Sequence, residues 1–148
     1  MKFCEAELTD AVLEQLIAFS QQWEDERNCY GYRKNTKKDI EGNRVFLAEE
    51  NDRTIGYLFG SVNKTKEASP IASANTTCFE VEELYILPEY RSRGVGRELF
   101  AFVENTMKEN AVDYLFLGTA TKDYKAILHF YIDELNMSFW SARLFKKL

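Results

Sequence analysis

The chain has 148 residues, of which 45% are hydrophobic and 14% aromatic, and its formal net charge is −5. This length suits one domain with a single core, and the acidic balance argues against nucleic acid as a partner. A single histidine and three scattered cysteines give no metal cage, and no apolar stretch is long enough to cross a membrane. The odd number of cysteines, without a signal peptide, favours a soluble protein of the cytoplasm.

The first half of the chain predicts a strand, two helices and a hairpin. "KFCEAEL" alternates as a short strand does, and Thr9 or Asp10 can cap a helix with an apolar stripe from Val12 to Trp23. A short helix is expected at about residues 36–41. "NRVFLAEE" and "RTIGYLFGSVN" read as two strands joined by Asn51 and Asp52. The polar "KTKEASPIASAN" reads as a loop.

The second half alternates strands with helices. "TTCFEVEELYIL" predicts a long strand that ends at Pro88. It precedes a helix whose apolar face is formed by Val95, Leu99, Phe102, Val103 and Thr106. "DYLFLGTA" is typical of a buried strand, and "DYKAILHFYIDEL" of a helix that Asn136 can close. "MSFWSARLFKKL" predicts one or two closing strands. The order β-α-α-β-β-β-α-β-α-β describes one mixed α/β domain over residues 1–148.

The segment "YRSRGVGREL" places three arginines and two glycines where a strand gives way to a helix. The first amides of a helix have no intrahelical partners and carry partial positive charge, so such a turn suits phosphate groups. Glycine lets a ligand approach the backbone closely. Arg97 and Glu98 do not fit a P-loop, and Leu99 stands where the dinucleotide fingerprint needs a glycine or alanine. The segment predicts a phosphate site of another kind.

The longer segment "VEELYILPEYRSRGVGRELF" resembles the acetyl-CoA-binding motif of the GNAT superfamily of N-acetyltransferases. That motif is Arg or Gln, two residues, Gly, one residue, then Gly or Ala, which Arg91, Gly94 and Gly96 match. The predicted element order agrees with the GNAT fold, and "AILHFYIDELNM" is similar to the family's fourth-helix pattern. The resemblance implies a mixed, mostly antiparallel sheet flanked by helices.

The resemblance also implies acetyl-CoA as co-substrate, with no metal. The pyrophosphate is expected on the loop of Arg91, Ser92, Arg93, Gly94, Val95, Gly96 and Arg97, with the arginines adding positive charge. The pantetheine arm is expected along the backbone of Leu84, Tyr85 and Ile86, in a wedge that a β-bulge opens. A backbone amide of that strand would stabilise the oxyanion. Tyr124 stands where many relatives have an asparagine that contacts CoA.

The implied reaction is direct attack of a primary amine on the thioester in a ternary complex. Tyr131 matches the family tyrosine that protonates the CoA thiolate, with core packing as its alternative role and Tyr124 in reserve. Glu80, at the family position counted back from Arg91, or Glu82 is expected to be the base. Alternation puts these two on one face and Glu83 on the other. Their alternative role is a solvated sheet face or an ammonium-binding site.

Residues 23–32 lie where the family's first helices wall the acceptor pocket. The carboxylates Glu24, Asp25, Glu26 and Asp39 predict a small cationic acceptor, such as a polyamine or an aminoglycoside-like amine. A protein or peptide acceptor and a non-catalytic acyl-CoA-binding module are the alternatives. Neither nucleic acid nor a membrane is expected as a partner, and a homodimer through the aromatic closing strands stays open.

Overall fold

A computed structural model describes residues 1–148 and contains one five-stranded sheet in the order β1-β2-β3-β4-β5. The strands β1 to β4 are antiparallel neighbours, and β5 runs parallel to β4. The strand bounds are Lys2–Ala6 for β1, Arg44–Glu50 for β2, Arg53–Lys64 for β3, Thr77–Ile86 for β4 and Tyr114–Phe116 for β5. The predicted mixed, mostly antiparallel sheet is therefore confirmed.

The helices pack on both faces of this sheet. They comprise four α-helices, a short 3₁₀-helix and a π-helix. Their bounds are Asp10–Glu26 for α1, Lys37–Ile40 for α2, Pro88–Tyr90 for the 3₁₀-helix, Val95–Glu109 for α3, Tyr124–Leu128 for α4 and His129–Glu134 for the π-helix. None of them is long and apolar enough to cross a membrane.

Local sequence signals account for most of these boundaries. The Thr9 hydroxyl caps α1 by accepting a hydrogen bond from the Val12 amide at 3.2 Å, as the sequence predicts. Asn51 and Asp52 have φ angles of 50° and 58°, the left-handed values that a two-residue hairpin turn requires. That turn fixes the register of β2 against β3.

Each face of the sheet buries its own apolar cluster. One cluster joins Phe79, Val81 and Ile86 to the buried side of α3, which consists of Val95, Leu99, Phe100, Val103 and Met107. The predicted stripe of α3 is thus slightly rotated, because Phe100 and Met107 are buried while Phe102 and Thr106 are only partly covered. The other cluster packs Tyr57, Phe59, Tyr85 and Leu87 against α1.

A β-bulge between β3 and β4 changes which side chains share a face. Phe59 lies opposite Glu83 and Gly60 opposite Val81, so Glu82 is the extra residue. A Cβ at Gly60 would collide with the backbone of Glu80, so glycine is needed there. Because the bulge shifts the alternation by one residue, Glu83 lies on the α1 face with Tyr57. The prediction that Glu83 faces away from Glu80 is therefore wrong.

The C-terminal third departs from the sequence prediction in three ways. The strand β5 has only three residues, and residues 136–148 form no strand at all. The reason is that the chain beyond β5 turns away and pairs instead with the segment after α1, through a Cys29–Thr121 bridge. The outer edge of β5 is then too short to pair with a closing strand. The predicted fourth helix also continues as a π-helix after Leu128.

Candidate active site

The turn between β4 and α3 forms an open cradle at the start of a helix. Gly94 caps α3 with φ of 82°, and Ser92 is also left-handed with φ of 57°. Gly94 thus uses a conformation that favours glycine. The cradle has a volume of about 620 Å³ and is lined by Ser92, Arg93, Gly94, Arg97 and Glu134. The amides of the first turn of α3 have no intrahelical partners and are available to an anion.

Gly96 serves a different purpose from Gly94. A Cβ at Gly96 would lie 3.4 Å from Cζ of Phe130 and 3.6 Å from Cγ1 of Ile86. A methyl group would just touch these atoms, and any side chain larger than a methyl group would push α3 away from the π-helix. The small size of Gly96 therefore allows the π-helix, which contains Tyr131, to pack close to the cradle.

Arg91 binds the protein itself rather than leaving its charge free. Its Nη1 and Nη2 donate to the two oxygens of Glu26, each at 2.7 Å, and its Nε donates to the Ile86 carbonyl at 2.8 Å. The Tyr85 hydroxyl also donates to Glu26, at 2.8 Å. Arg97 therefore adds free side-chain charge to the cradle, and Arg93 adds charge that a looser ion pair with Glu50, at 3.9 Å, offsets in part. The expectation that all three arginines do so is wrong for Arg91.

The Glu26–Arg91 pair ties the cradle to the C-terminal end of α1. Burial alone raises the pKa of Glu26, but the hydrogen bonds from Arg91 and Tyr85 outweigh it and hold that pKa below its ordinary value. The resulting stabilisation is present above the ordinary glutamate pKa, about 4.3, and is lost as the pH falls through the lower folded value.

Replacing Glu26 by glutamine is expected to lower the free energy of unfolding at pH 7 by about 1–3 kcal/mol, because a charged hydrogen-bonded partner of Arg91 is lost. Denaturant unfolding measures the loss, which should shrink as the pH falls below the ordinary glutamate pKa and Glu26 becomes protonated in the folded protein. Asp25→Asn is the matched control, since Asp25 is exposed and bonds only Gln21. Equal losses in the two variants would contradict a structural role for the pair.

The pairing of β4 with β5 ends before β4 reaches the cradle. The two strands pair only at Cys78, Phe79 and Glu80, where β5 ends, whereas β3 accompanies β4 as far as Ile86. Residues 81–86 therefore have backbone groups on one edge that no strand occupies. The structure thus contains a bulge in β4 and an open edge at the place where the GNAT resemblance implies the wedge.

Tyr131 lies in the π-helix, whose Leu135 amide bonds the Phe130 carbonyl at 3.1 Å. π-Helical turns occur often at functional sites. The ring packs on Phe130 and Phe100, with centroids 5.1 and 6.3 Å away, and no hydrogen bond within the protein involves its hydroxyl. Burial, and then the Cys29 thiol, raise the pKa of Tyr131 to about 12. Tyr124, in contrast, is 57% exposed at the start of α4.

The two glutamates predicted as the base, Glu80 and Glu82, are both exposed. Neither carboxylate forms a hydrogen bond or an ion pair with the protein, so nothing fixes its direction. The pKa of Glu80 is raised by its remaining burial and then by the charge of Glu82. The bulge does not bring either side chain into a fixed site.

Glu83 is the fixed carboxylate that the sequence prediction missed. Its Oε2 accepts hydrogen bonds from the hydroxyls of Tyr57 at 2.8 Å and Tyr32 at 3.2 Å, and from Nδ2 of Asn35 at 3.0 Å. Burial raises its pKa, although these three hydrogen bonds lower it in part. Gly60, a glycine within a strand, was the one signal of a bulge that could have revealed this arrangement.

A second cavity, of about 450 Å³, lies at the end of α1. Trp23 stacks on Tyr32 with centroids 4.3 Å apart and on Tyr85 at 5.4 Å. The charged side chains of its lining are Glu24, Asp25, Arg27, Arg33 and Lys122. Three cations beside two carboxylates do not make the acidic wall that the sequence predicts. Glu26 is bound to Arg91, and Asp39 caps the Thr36 amide at 2.6 Å.

Comparisons with known proteins bear on this arrangement. The sequence profile of the Acetyltransferase (GNAT) family matches residues 10–135. No curated protein gives a significant match to the sequence.

Solved structures share the fold at low sequence identity. An acetyltransferase from Vibrio fischeri is 24% identical, with a TM-score of 0.62 over 82% of this chain and 98% of that one. A tetramutant of the BH1408 protein from Bacillus halodurans is 16% identical, with a TM-score of 0.75 over 100% of both chains. An aminoglycoside N-acetyltransferase in complex with CoA is also 16% identical, with a TM-score of 0.66 over 99% of this chain and 98% of that one.

The structural likenesses, all below 25% identity, establish the fold, and the profile match spans most of the sequence. Together they confirm the expectation raised by Arg91, Gly94 and Gly96. The chain belongs to the acetyltransferase (GNAT) family, the acetyl-CoA-dependent N-acetyltransferases.

Proposed function

We propose that the chain transfers the acetyl group of acetyl-CoA to a primary amine by direct attack in a ternary complex. The acceptor is a small cationic amine, such as a polyamine or an aminoglycoside-like compound. One observation supports the acceptor class above all: the stacked rings of Trp23, Tyr32 and Tyr85 stand beside the fixed carboxylate of Glu83. Aromatic faces and carboxylates both attract ammonium groups.

The residues of the cradle and of the open edge of β4 fit acetyl-CoA. The amides of Val95, Gly96 and Arg97, with the guanidinium groups of Arg93 and Arg97, would hold its pyrophosphate. Ser92 and the left-handed Gly94 shape that turn. The open edge of β4 at Leu84, Tyr85 and Ile86 offers backbone groups for the pantetheine arm. An amide of the same edge would stabilise negative charge on the thioester oxygen.

Tyr131 is the acid in this proposal. Because its pKa is about 12, the hydroxyl stays protonated at neutral pH and has a proton to give to the CoA thiolate. Its hydroxyl has no competing partner within the protein. Tyr124 is the reserve acid and a candidate CoA contact, although its exposure places it at the rim. Glu80 and Glu82 are candidates for the base.

A peptide or protein amine is the second candidate acceptor. The observation that favours it is the set of three cations in the cavity wall, Arg27, Arg33 and Lys122. They would bind a carboxylate on the same acceptor. The aminoglycoside N-acetyltransferase among the structural neighbours is consistent with a small cationic acceptor, but at 16% identity it supports the fold rather than the acceptor.

An acetyl-CoA turnover assay with free thiol as the readout tests the proposal. The panel contains spermidine, an aminoglycoside, a free amino acid, a peptide with a free N-terminus, and the same peptide with that terminus blocked. Turnover with the first two alone supports the small cationic acceptor. Turnover with the free peptide but not the blocked one supports the second candidate. Acetyl-CoA binding without turnover of any amine supports the non-catalytic module.

The cavity carboxylates give a prediction about acceptor binding. In the double variant Glu24→Gln/Asp25→Asn, the KM for a polyamine should rise about 2–10-fold, because two partly solvated charges, each worth about 0.2–1 kcal/mol, are lost. The KM for acetyl-CoA should not change. Steady-state kinetics of the wild type and the double variant measure both constants.

The reverse change is the matched control for that double variant. Arg27→Gln removes a cation from the same wall and should leave the KM for a polyamine unchanged or lower it. If both variants keep the wild-type KM, the acceptor does not bind in this cavity.

A further inference from the structure

Glu83 has an asymmetric set of hydrogen bonds. All three of its donors, from Tyr57, Tyr32 and Asn35, reach Oε2, and no protein donor reaches Oε1. Every fully buried polar side-chain atom in the structure has a hydrogen-bond partner. Oε1, which has none, is therefore accessible to solvent or to a ligand. One oxygen fixes the carboxylate, and the other is left to bind something else.

The charge of Glu83 is also uncompensated. No lysine, arginine or histidine forms an ion pair with it, although Glu26, the other half-buried carboxylate beside this site, is paired with Arg91. Removing a carboxylate from water without a cation is costly. At Glu83 this unfavourable burial of charge coincides with a carboxylate oxygen, Oε1, that has no hydrogen-bond partner in the protein. An ammonium group from outside the chain would supply the missing positive charge.

Glu83 stands between the two regions of the site. It directly precedes Leu84 on the open edge of β4, and its hydrogen bond to Tyr32 joins it to the aromatic wall of the α1 cavity. The side chains that contact it are Tyr57 from β3 and Tyr32 and Asn35 from the segment after α1. In addition to burial, the charge of Asp39 in α2 raises the pKa of Glu83, and the charge of Glu83 in turn adds to the effect of burial in raising the pKa of the Cys29 thiol.

We propose that Oε1 of Glu83 binds the acceptor's ammonium group and removes its proton, in the role that the sequence assigns to Glu80 or Glu82. This inference rests on the proposed function, since it needs an amine acceptor. It deepens that function by naming the group that recognises the amine. The Glu83 carboxylate is positioned by the bulge at Glu82 and by hydrogen bonds from Tyr32, Asn35 and Tyr57. The acetyl-CoA-binding motif does not position it.

The proton and electron balance of the step is complete. Glu83 takes one proton from R–NH₃⁺, which leaves R–NH₂ and a neutral carboxyl. The nitrogen lone pair then forms the N–C bond while the C=O π electrons move to the oxygen. As the C=O bond re-forms, the C–S bond breaks and Tyr131 gives its proton to the departing thiolate. The second proton on nitrogen returns to the Tyr131 oxygen. Glu83 releases its proton to water, so the products are the amide, the free thiol and one proton.

Three matched variants test the assignment: Glu83→Gln, Glu80→Gln and Glu82→Gln. Each loses one carboxylate from the same strand with little change in shape. In the wild type, kcat/KM for the amine should rise as the pH passes the Glu83 pKa, which lies above the ordinary glutamate value. Glu83→Gln should lower kcat/KM about 10²–10⁴-fold and abolish that rise. Glu80→Gln and Glu82→Gln are the comparison: if Glu83 is the base, only Glu83→Gln loses the pH-dependent rise.

Two further readouts separate chemistry from structure. The dissociation constant of acetyl-CoA for Glu83→Gln, measured by calorimetry, should equal the wild-type value. Its melting temperature at pH 8 should be equal or higher, because a buried charge is removed. Tyr32→Phe removes one donor to the charged carboxylate, so the pH of the activity rise should move upward while the protein stays active.

The outcomes are distinct. Wild-type kcat/KM in Glu83→Gln, or loss of the pH-dependent rise in Glu80→Gln or Glu82→Gln instead, would overturn the assignment and leave the proposed function intact. A wild-type protein that binds acetyl-CoA but acetylates no amine would overturn both.

Discussion

Gly94→Glu is expected to raise the dissociation constant of acetyl-CoA about 100-fold or more, because at least two charge-assisted hydrogen bonds, worth roughly 1.5–3 kcal/mol each, would be lost. The carboxylate would stand in the cradle where the pyrophosphate is proposed to bind. A Cβ at this position has room, since its nearest neighbour is Nη2 of Arg97 at 3.5 Å. The added charge, together with the strain of a side chain on a left-handed backbone, would therefore cause the loss, rather than a collision. Calorimetry measures the affinity, and circular dichroism reports whether the fold survives.

Gly94→Gln is the matched control for this prediction. Glutamine has the size of glutamate and is equally strained at a φ of 82°, but it carries no charge. Its acetyl-CoA affinity should fall far less than that of Gly94→Glu. If both variants bind acetyl-CoA as the wild type does, the cradle between β4 and α3 does not hold the pyrophosphate.

The sequence predicts the first two-thirds of the fold well because local signals there agree with the tertiary structure. The hydroxyl of Thr9 caps the helix that follows it directly, so it marks the start of α1. Asn51 and Asp52 both tolerate the left-handed backbone of a tight turn, so they mark the end of β2 and the start of β3. The C-terminal third is different. Beyond the three residues of β5, the chain pairs with the segment after α1 in a bridge between Cys29 and Thr121, which are 92 positions apart in the chain. No local pattern encodes such a contact, so the apolar "DYLFLGTA" predicts a longer strand than the fold contains.

The candidate site divides in the same way. The cradle depends on backbone conformation, so the spacing of Arg91, Gly94 and Gly96 is enough to predict it. The side-chain roles depend on partners that are distant in sequence. Glu26 is expected to attract the acceptor, but it binds Arg91, which is 65 positions away in the chain. Glu83 is assigned to the wrong face because one bulge inverts the alternation of β4.

A continuous series of contacts links the cradle to the cavity at the end of α1. The Arg91 guanidinium lies 5.2 Å from the ring centroid of Tyr85, Tyr85 stacks on Trp23, and Trp23 stacks on Tyr32. Tyr32 then donates to Glu83. Trp23 and Tyr32, which line that cavity, are therefore packed through Tyr85 against Arg91 at the start of the cradle. This rigidity would favour the fixed geometry that direct transfer between two substrates requires.

Tyr131→Phe is expected to lower kcat about 10²–10⁴-fold, the usual contribution of a positioned acid. Phenylalanine keeps the packing on Phe100 and Phe130 and removes only a hydroxyl that has no partner within the protein. The free energy of unfolding and the dissociation constant of acetyl-CoA should therefore stay at their wild-type values. In the wild type, Tyr131 should cause no loss of activity until the pH approaches its pKa of about 12, because the phenol stays protonated below that value.

Tyr124→Phe is the control for Tyr131→Phe, since it removes the same group from an exposed tyrosine at the start of α4. Its kcat should equal the wild-type value. Single-turnover measurements with a thiol reagent separate the chemical step from product release in both variants. A normal rate in Tyr131→Phe would leave that residue with core packing alone, and a reduced rate in Tyr124→Phe would then identify Tyr124 as the acid.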